Sequence, residues 1–233
     1  MSDNIKLYTS WFCPFAQRVW IALLQQKVPF EHIEVDPYNK SPEWLKVNPR
    51  GLVPTLVHNN RSVFESPLVI EYIDETFGSK GTAMLMPKDP FVRFQHRLWA
   101  DTITKKFTPS FYAYLLKEDP AEREEHRVKL VNIIRELFNE MSGEYFGGAD
   151  IMYADIMLIP FALRFDILKH YRRFEIPSDI PNFHAWLHRV ESHPSVRPTV
   201  ADRDKMIGIY QRYADNTAKS LVADAVRRGD VLP

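Results

Sequence analysis

Pro14, one residue after the only cysteine of the chain, divides the N-terminal stretch into an extended half and a helical half. Before it runs a short apolar segment, Ile5 to Tyr8; after it Val19, Ile21, Ala22 and Leu23 recur as they would on the buried side of a helix. Proline is tolerated best at the first helical position, where its missing N–H has no intrahelical partner. The order is therefore strand, turn, helix, with the helix ending near Lys27. Cys13 then falls at the N-cap, beside unpaired backbone N–H groups and the positive end of the helix dipole. Such surroundings favour thiolate and lower a cysteine pKa from about 8.5 to between about 3.5 and 7.5, so Cys13 is expected to be nucleophilic at neutral pH. A lone free cysteine is more often a small buried hydrophobe; its place before a helix-starting proline favours the reactive reading. Ala16 stands where a C-x-x-C pair would carry its resolving thiol, so any disulfide on Cys13 must borrow an outside sulfur.

The 233 residues suit one or two domains. At 45% apolar and 26% charged, the composition is that of a soluble globular chain with a real core. Thirty basic residues offset thirty acidic ones, which gives no electrostatic basis for capturing nucleic acid or an anionic membrane. The lead-in Met1-Ser2-Asp3-Asn4 is polar and no apolar run approaches the roughly 18 residues of a membrane span. One cysteine with neither export signal nor disulfide framework fits the reducing cytoplasm.

After the Cys13 helix, Phe30 to Val35 alternates apolar and polar as a strand does. A β-α-β unit of this kind is almost always right-handed and joins parallel strands. A glycine turn at Gly51 leads through Val53-Pro54 into a second β-rich run, and proline there leaves that strand end free to pair with something else. Arg61 to Glu65 follows an Asn59-Asn60 turn as another short strand. Ser66-Pro67, an N-cap serine with proline at the first helical position, opens the next helix through Ile70, Ile73 and Phe77.

This β-α-β then β-β-α order resembles the thioredoxin-like half of cytosolic glutathione transferases. The runs Phe12-Cys13-Pro14-Phe15-Ala16-Gln17-Arg18, Ser41-Pro42-Glu43-Trp44, Asn48-Pro49-Arg50-Gly51-Leu52-Val53-Pro54 and Phe64-Glu65-Ser66-Pro67 are similar to the omega class. The resemblance covers essentially the whole chain, with its specific motifs before Glu75. It implies an α/β thioredoxin-like domain over 1–79, a Gly, Pro and Lys-rich linker over 80–90, and an all-α domain over 91–233.

The second half reads as helical throughout. Phe91, Phe94 and Leu98 recur at helical spacing, and Pro109 is expected to kink that segment. Val131, Ile134, Phe138 and Met141 form an amphipathic stripe, and Ile156 to Leu163 is apolar nearly all round, as suits a central helix. Relatives in the resembled family carry Ser or Thr where Met152 stands, paired with the acid at Asp155. Losing such a cap costs about 1 kcal/mol; Asp150 is the nearest substitute, and Ile151 with Ile156 keeps a hydrophobic staple. His184 and His188 have metal-ligand spacing, but without a glutamate between them they are read as structural, and no metal is expected. Ala218, Leu221, Val222, Ala225 and Val226 give a terminal amphipathic helix.

The resemblance also implies the chemistry. Glutathione would be the co-substrate, pairing with the backbone of Val53 beside a cis Val53-Pro54 bond. Its γ-glutamyl carboxylate would meet Ser66 and its ammonium Glu65; Phe15 would lie against it and Lys40 would hold the glycyl carboxylate. Cys13 would be the catalytic nucleophile, forming a mixed disulfide that a second glutathione resolves, as in thiol transfer from glutathionylated substrates or dehydroascorbate reduction. Tyr8 is read as a packed strand residue. Trp11, with Phe15, would wall the apolar pocket of a small-molecule second substrate. A homodimer is expected from the same resemblance. The alternatives are conjugation of glutathione to electrophiles, and a non-catalytic carrier of apolar ligands.

Overall fold

The computed structural model describes residues 4–78 and 83–232. Strand β1 (Ile5–Thr9) leads into helix α1 (Pro14–Gln25), strand β2 (Glu31–Glu34) and the short helix α2 (Pro42–Val47). Strands β3 (Thr55–His58) and β4 (Arg61–Phe64) then precede helix α3 (Ser66–Phe77). The sheet runs β2-β1-β3-β4, with β1 parallel to β2 and antiparallel to β3, and β3 antiparallel to β4. The β3–β4 hairpin turns on Asn59 and Asn60, both at positive φ (48° and 65°), the left-handed pair that a two-residue hairpin loop needs and that asparagine tolerates. This is the expected thioredoxin-like α/β unit. Two details differ: α1 stops at Gln25, and Lys27 turns the chain at φ 53°; Ser66 is the first residue of α3 rather than its cap, because Glu65 occupies the cap position at φ 71°.

α1 packs against α3 on one side and against a central helix of the second half on the other. That explains why its buried residues include Gln17 and Arg18 as well as Ala16, Val19, Ile21, Ala22 and Leu23. The expected division at 79/80 and the Met1-Ser2-Asp3 lead-in fall outside the described residues. Where the chain resumes, Leu85 clips the halves together: its N–H donates to Asp74 Oδ1 (2.7 Å), and its carbonyl accepts from Tyr153 N (2.8 Å).

The rest is helical: α4 (Pro90–Thr102), α5 (Thr108–Leu116), α6 (Pro120–Glu140), α7 (Tyr153–Ala162), α8 (Phe165–Arg172), α9 (Pro181–Ser192), α10 (Arg203–Ala214) and α11 (Leu221–Arg228). Between α4 and α5, Ile103–Phe107 forms one wide π-helical turn. Pro109 cannot donate to the preceding turn, and the wide turn ahead of it absorbs the disruption that the sequence predicts as a kink. Every residue of α7 is buried, as its apolar composition requires.

α7 is capped from several places. Asp155 Oδ2 accepts from Met152 N (3.1 Å), while its Oδ1 accepts from Phe146 N (3.1 Å) and Trp186 Nε1 (2.8 Å). Ala154 N donates to His96 Nδ1 (3.3 Å), so an imidazole from α4 does what a cap hydroxyl would do. Asp150, the sequence candidate, instead holds Ile151 N and His193. Burial lowers His96 to about 4, keeping Nδ1 an acceptor. Burial pushes Asp155 the other way, up to about 6, against the donors around it.

These shifts act oppositely on stability. The His96 contribution is complete above its unfolded value of 6.5 and is lost as pH falls through 4, a loss of about 3 kcal/mol. Asp155, raised from 3.8, costs stability as pH rises through 6, and falling pH returns a similar amount. His96→Gln keeps an acceptor for Ala154 but does not titrate. Between pH 7 and pH 4 its unfolding free energy should improve relative to wild type by about 3 kcal/mol. Urea denaturation at both pH values checks this; a pH-independent difference contradicts it.

Candidate active site

Between the sheet unit and the helices lies a cavity of about 440 Å³. Cys13 opens it. The residue is extended (φ −81°, ψ 118°) at the N-cap of α1, held by Cys13 N donating to Ser10 O (2.8 Å) and Gln17 N donating to Cys13 O (3.1 Å). Its Sγ lies 3.9 Å from Val53 O, and the Val53–Pro54 bond is cis. Asn48 braces this loop through Nδ2 to Thr55 Oγ1 (2.8 Å) and Leu52 O (3.2 Å). Gly51 turns it at φ 57°, where a Cβ would come within 2.5 Å of Lys40 Cδ; only glycine lets the lysine stem lie across the turn, with Nζ donating to Arg50 O (3.3 Å).

Cys13, Phe15, Lys40, Val53, Pro54, Glu65 and Ser66 all line this cavity. Trp11 does not; Phe12 takes that wall, while the Trp11 ring stacks edge-on against it and the Trp11 backbone N–H donates to Glu34 Oε1 (2.9 Å). Tyr8 is a half-buried residue of β1 and does not line the cavity. Two expected groups already have partners. Glu65 is ion-paired with Arg50, both partly exposed, and Ser66 Oγ accepts from Arg18 NH1 (3.3 Å).

The thiol itself departs from expectation. Cys13 is half-buried, and burial pushes its pKa up from the ordinary cysteine value. The N–H groups of Ala16 and Phe15, then the charges of Arg164 and Arg18, pull it down without offsetting that burial. The helix N-terminus therefore acts in the foreseen direction, but desolvation is the larger effect.

The opposite wall comes from residues far along the chain. Tyr112 of α5, Tyr210 and Tyr213 of α10, and Leu221 and Val222 of α11 line it, with Lys219 and Asp224 also on it. Tyr38, in the loop after β2, bridges the halves: its hydroxyl lies 3.2 Å from that of Tyr213, its ring stacks on Phe12 at 6.0 Å, and Arg212 sits over it at 4.6 Å. Sequence reasoning missed these tyrosines because aromatic residues in amphipathic helices read as core. The one available signal was the spacing of Tyr210 and Tyr213, three apart on one helical face. Among the described residues no cluster of three or more His, Cys, Asp or Glu side chains has metal-binding geometry; His184 is exposed, with Nε2 3.1 Å from Pro177 O. No helix among them is long and apolar enough to cross a membrane.

Residues 7–81 match the family "Glutathione S-transferase, N-terminal domain", and residues 120–189 match "Glutathione S-transferase, C-terminal domain". Glutathione S-transferase U25 of Arabidopsis thaliana is 36% identical over 89% of this chain and 93% of its own length. Glutathione S-transferase 3 of Glycine max is 32% identical over 90% and 95%. Among solved structures, glutathione transferase Omega 3C from Trametes versicolor superposes with a TM-score of 0.85 at 34% identity, covering 93% of each chain. Rice GST1 (OsGSTU1), solved with glutathione, gives 0.83 at 26% identity over 94% and 99%.

Proposed function

The chain belongs to the glutathione S-transferase family, whose co-substrate is glutathione, and within it we propose an omega-like thiol transferase that works through Cys13. The observation that carries this reading is a cysteine, not a hydroxyl residue, with its sulfur against Val53 O inside the cavity. The resemblance of the sequence motifs to the omega class and the likeness to the Omega 3C structure support it. The Cys13 thiolate attacks the glutathione sulfur of a glutathionylated substrate; the old S–S bond breaks and the substrate leaves as a thiolate that takes a proton. A second glutathione thiolate then attacks the Cys13 mixed disulfide, releasing glutathione disulfide and restoring the thiolate. Val53 offers backbone to glutathione, Ser66 and the start of α3 offer donors to its γ-glutamyl carboxylate, Glu65 its ammonium, and Lys40 its glycyl carboxylate. Phe15 lies alongside. The cytoplasm, rich in glutathione and reducing, is the proposed setting.

Conjugation to electrophiles is the second reading. The plant relatives, which carry the U designation or a plain glutathione S-transferase name, favour it, and so does the upward shift of Cys13, because a protonated thiol can donate to a glutathione thiolate as a hydroxyl does. Parallel assays of thiol transfer, dehydroascorbate reduction and aryl-halide conjugation decide between them: conjugation as the dominant turnover would remove the first reading.

A carrier that ignores glutathione is tested at Glu65. Because Glu65 and Arg50 are 40% and 47% exposed, solvent screens the pairing. Glu65→Gln should weaken glutathione by roughly tenfold, about 1.4 kcal/mol, and Ser66→Ala by less. Calorimetry that finds both unchanged, with an apolar ligand binding tightly, supports the carrier.

A homodimer is proposed through the exposed apolar residues Leu68 of α3 and Phe91, Phe94 and Leu98 of α4, two helices tied together where Arg97 of α4 pairs with Glu71 of α3. Exposed apolar surface, where it clusters, marks interaction sites. Sedimentation should give twice the 27.3 kDa chain mass, and Phe91→Asp with Leu98→Asp should return it to the single-chain value; a wild-type monomer rejects the dimer.

A further inference from the structure

Two guanidiniums, those of Arg18 and Arg164, lie inside this protein with no carboxylate paired to them among the described residues. Arg18 and Arg164 are 1% and 2% exposed. Arg18 sits between the rings of Phe15 and Phe161, donating from Nε to Met157 O (3.0 Å) and from NH1 to Ser66 Oγ, and so serves the start of α3. Arg164 stands immediately before α8. Its Nε donates to Tyr210 Oη (3.1 Å), NH1 to Gln17 Oε1 (2.6 Å) and Pro160 O (2.5 Å), and NH2 to Phe12 O (3.0 Å). Every acceptor is neutral. A guanidinium is a permanent cation, and burying a charge is costly unless it is hydrogen-bonded and paired with one of opposite sign; among the described residues these two have hydrogen bonds and lack the pair.

The contacts of Arg164 cluster around one candidate for that anion. Phe12 O is the carbonyl directly before Cys13, and Gln17 lies in the first turn of α1. Arg164 therefore grips both flanks of the residue that carries the sulfur. Tyr210 Oη, already accepting from Arg164, has its own hydrogen free for Phe12 O (3.4 Å), so that carbonyl is held twice. Gln17 Nε2 is fixed in turn by Thr199 O (3.2 Å) and Oγ1 (3.0 Å). We propose that Arg164 is a positioning residue for Cys13: reaching across from the helical half, it fixes the backbone around the sulfur and stands as the counter-charge of the thiolate. This rests on the thiol-transfer reading only in that the reaction needs a thiolate.

Other groups face Cys13 as well. Arg18 comes from α1, Tyr112 from α5 and Tyr210 from α10. Across the cavity stand Tyr213, Lys40, Glu65 paired with Arg50, Lys219 and Asp224. Of the two buried cations only Arg164 also holds the Phe12 carbonyl, so its removal alone should alter both charge and placement.

Iodoacetamide alkylation of Cys13, followed against pH, separates the two roles, because the midpoint reports charge and the high-pH plateau reports placement. Arg164→Gln should raise the midpoint by about one unit, leaving the neutral-pH rate roughly tenfold lower. Arg164→Lys, which keeps the charge but not the forked donors, should hold the midpoint within a few tenths of a unit and lower the plateau severalfold. Tyr210→Phe should leave the midpoint in place. Circular dichroism and calorimetric glutathione binding establish that each variant is folded. An Arg164→Gln midpoint equal to wild type overturns the proposal, and if that variant does not fold, an unchanged plateau in Arg164→Lys overturns it. The readout needs no turnover: a wild type without thiol-transfer activity but with the shifted midpoint would sink the reaction reading and leave Arg164 in its role.

Discussion

Cys13→Ser should lower the turnover of a glutathionylated substrate by roughly a thousandfold or more, because the hydroxyl cannot form the mixed disulfide on which the exchange depends. Glutathione should still bind within a few-fold of wild type. The groups expected to hold it, at Val53, Glu65 and Ser66, line the cavity; of these only the Val53 carbonyl lies against the sulfur, and its backbone position does not depend on that long contact. Aryl-halide conjugation should persist or rise, since a serine hydroxyl has an O–H to donate to a neighbouring anion. Steady-state kcat/KM for both reactions, with calorimetry for glutathione, measures the split. Retained thiol-transfer turnover in the variant would end the covalent mechanism, and equal loss of both activities would indicate a damaged site.

Asp155→Ala should destabilise the fold by about 3–5 kcal/mol. The carboxylate is 0% exposed, and its two oxygens satisfy Met152 N, Phe146 N and Trp186 Nε1. Alanine would strand all three donors in the interior, at about 1–3 kcal/mol each, although relief of the carboxylate's own burial, visible in its rise to about 6, offsets part of that at neutral pH. Against a total stability of about 5–15 kcal/mol the loss is large. Asp155→Asn, which still accepts on one atom, should lose less. Denaturant unfolding at pH 7 settles the order, and a loss under 1 kcal/mol for alanine would mean that these donors find other partners.

Short-range signals carried most of the fold. Pro14 after Cys13, the Asn59-Asn60 turn and the periodic stripes of α1 and α3 each act within a few residues, and each marks an element that forms. Ser41, in the second quoted motif, caps α2 by accepting from Trp44 N. The motif residues around Cys13, Val53 and Glu65 also converge on one cavity. What the sequence hid depends on distance along the chain. His96 caps a helix 58 residues later, and Arg164 reaches Phe12 across 152; no window of local sequence contains both partners. The sign of the Cys13 shift was hidden for a similar reason, because burial is a property of the folded surroundings, in which Tyr112 and Tyr210 of the other half face the sulfur. Arg18 did leave a trace, a charge beside a run of core residues in α1, which is rare unless the charge has work inside.

The π turn at Ile103–Phe107 sets the rotational phase between two surfaces of one rod. On its α4 side, Phe91, Phe94 and Leu98 point outward; on its α5 side, Tyr112 meets the cavity. One residue corresponds to about 100° of rotation around a helix. A turn closed by i→i+5 bonds holds one residue more than a turn of α-helix, so deleting a single residue there would let an ordinary α-helix run through with Tyr112 still on the cavity wall, whereas the same deletion elsewhere between the two surfaces would swing Tyr112 about 100° away. The wide turn thus absorbs one residue of chain length locally, so the outward face of α4 and the aromatic wall carried by α5 keep their relative orientation.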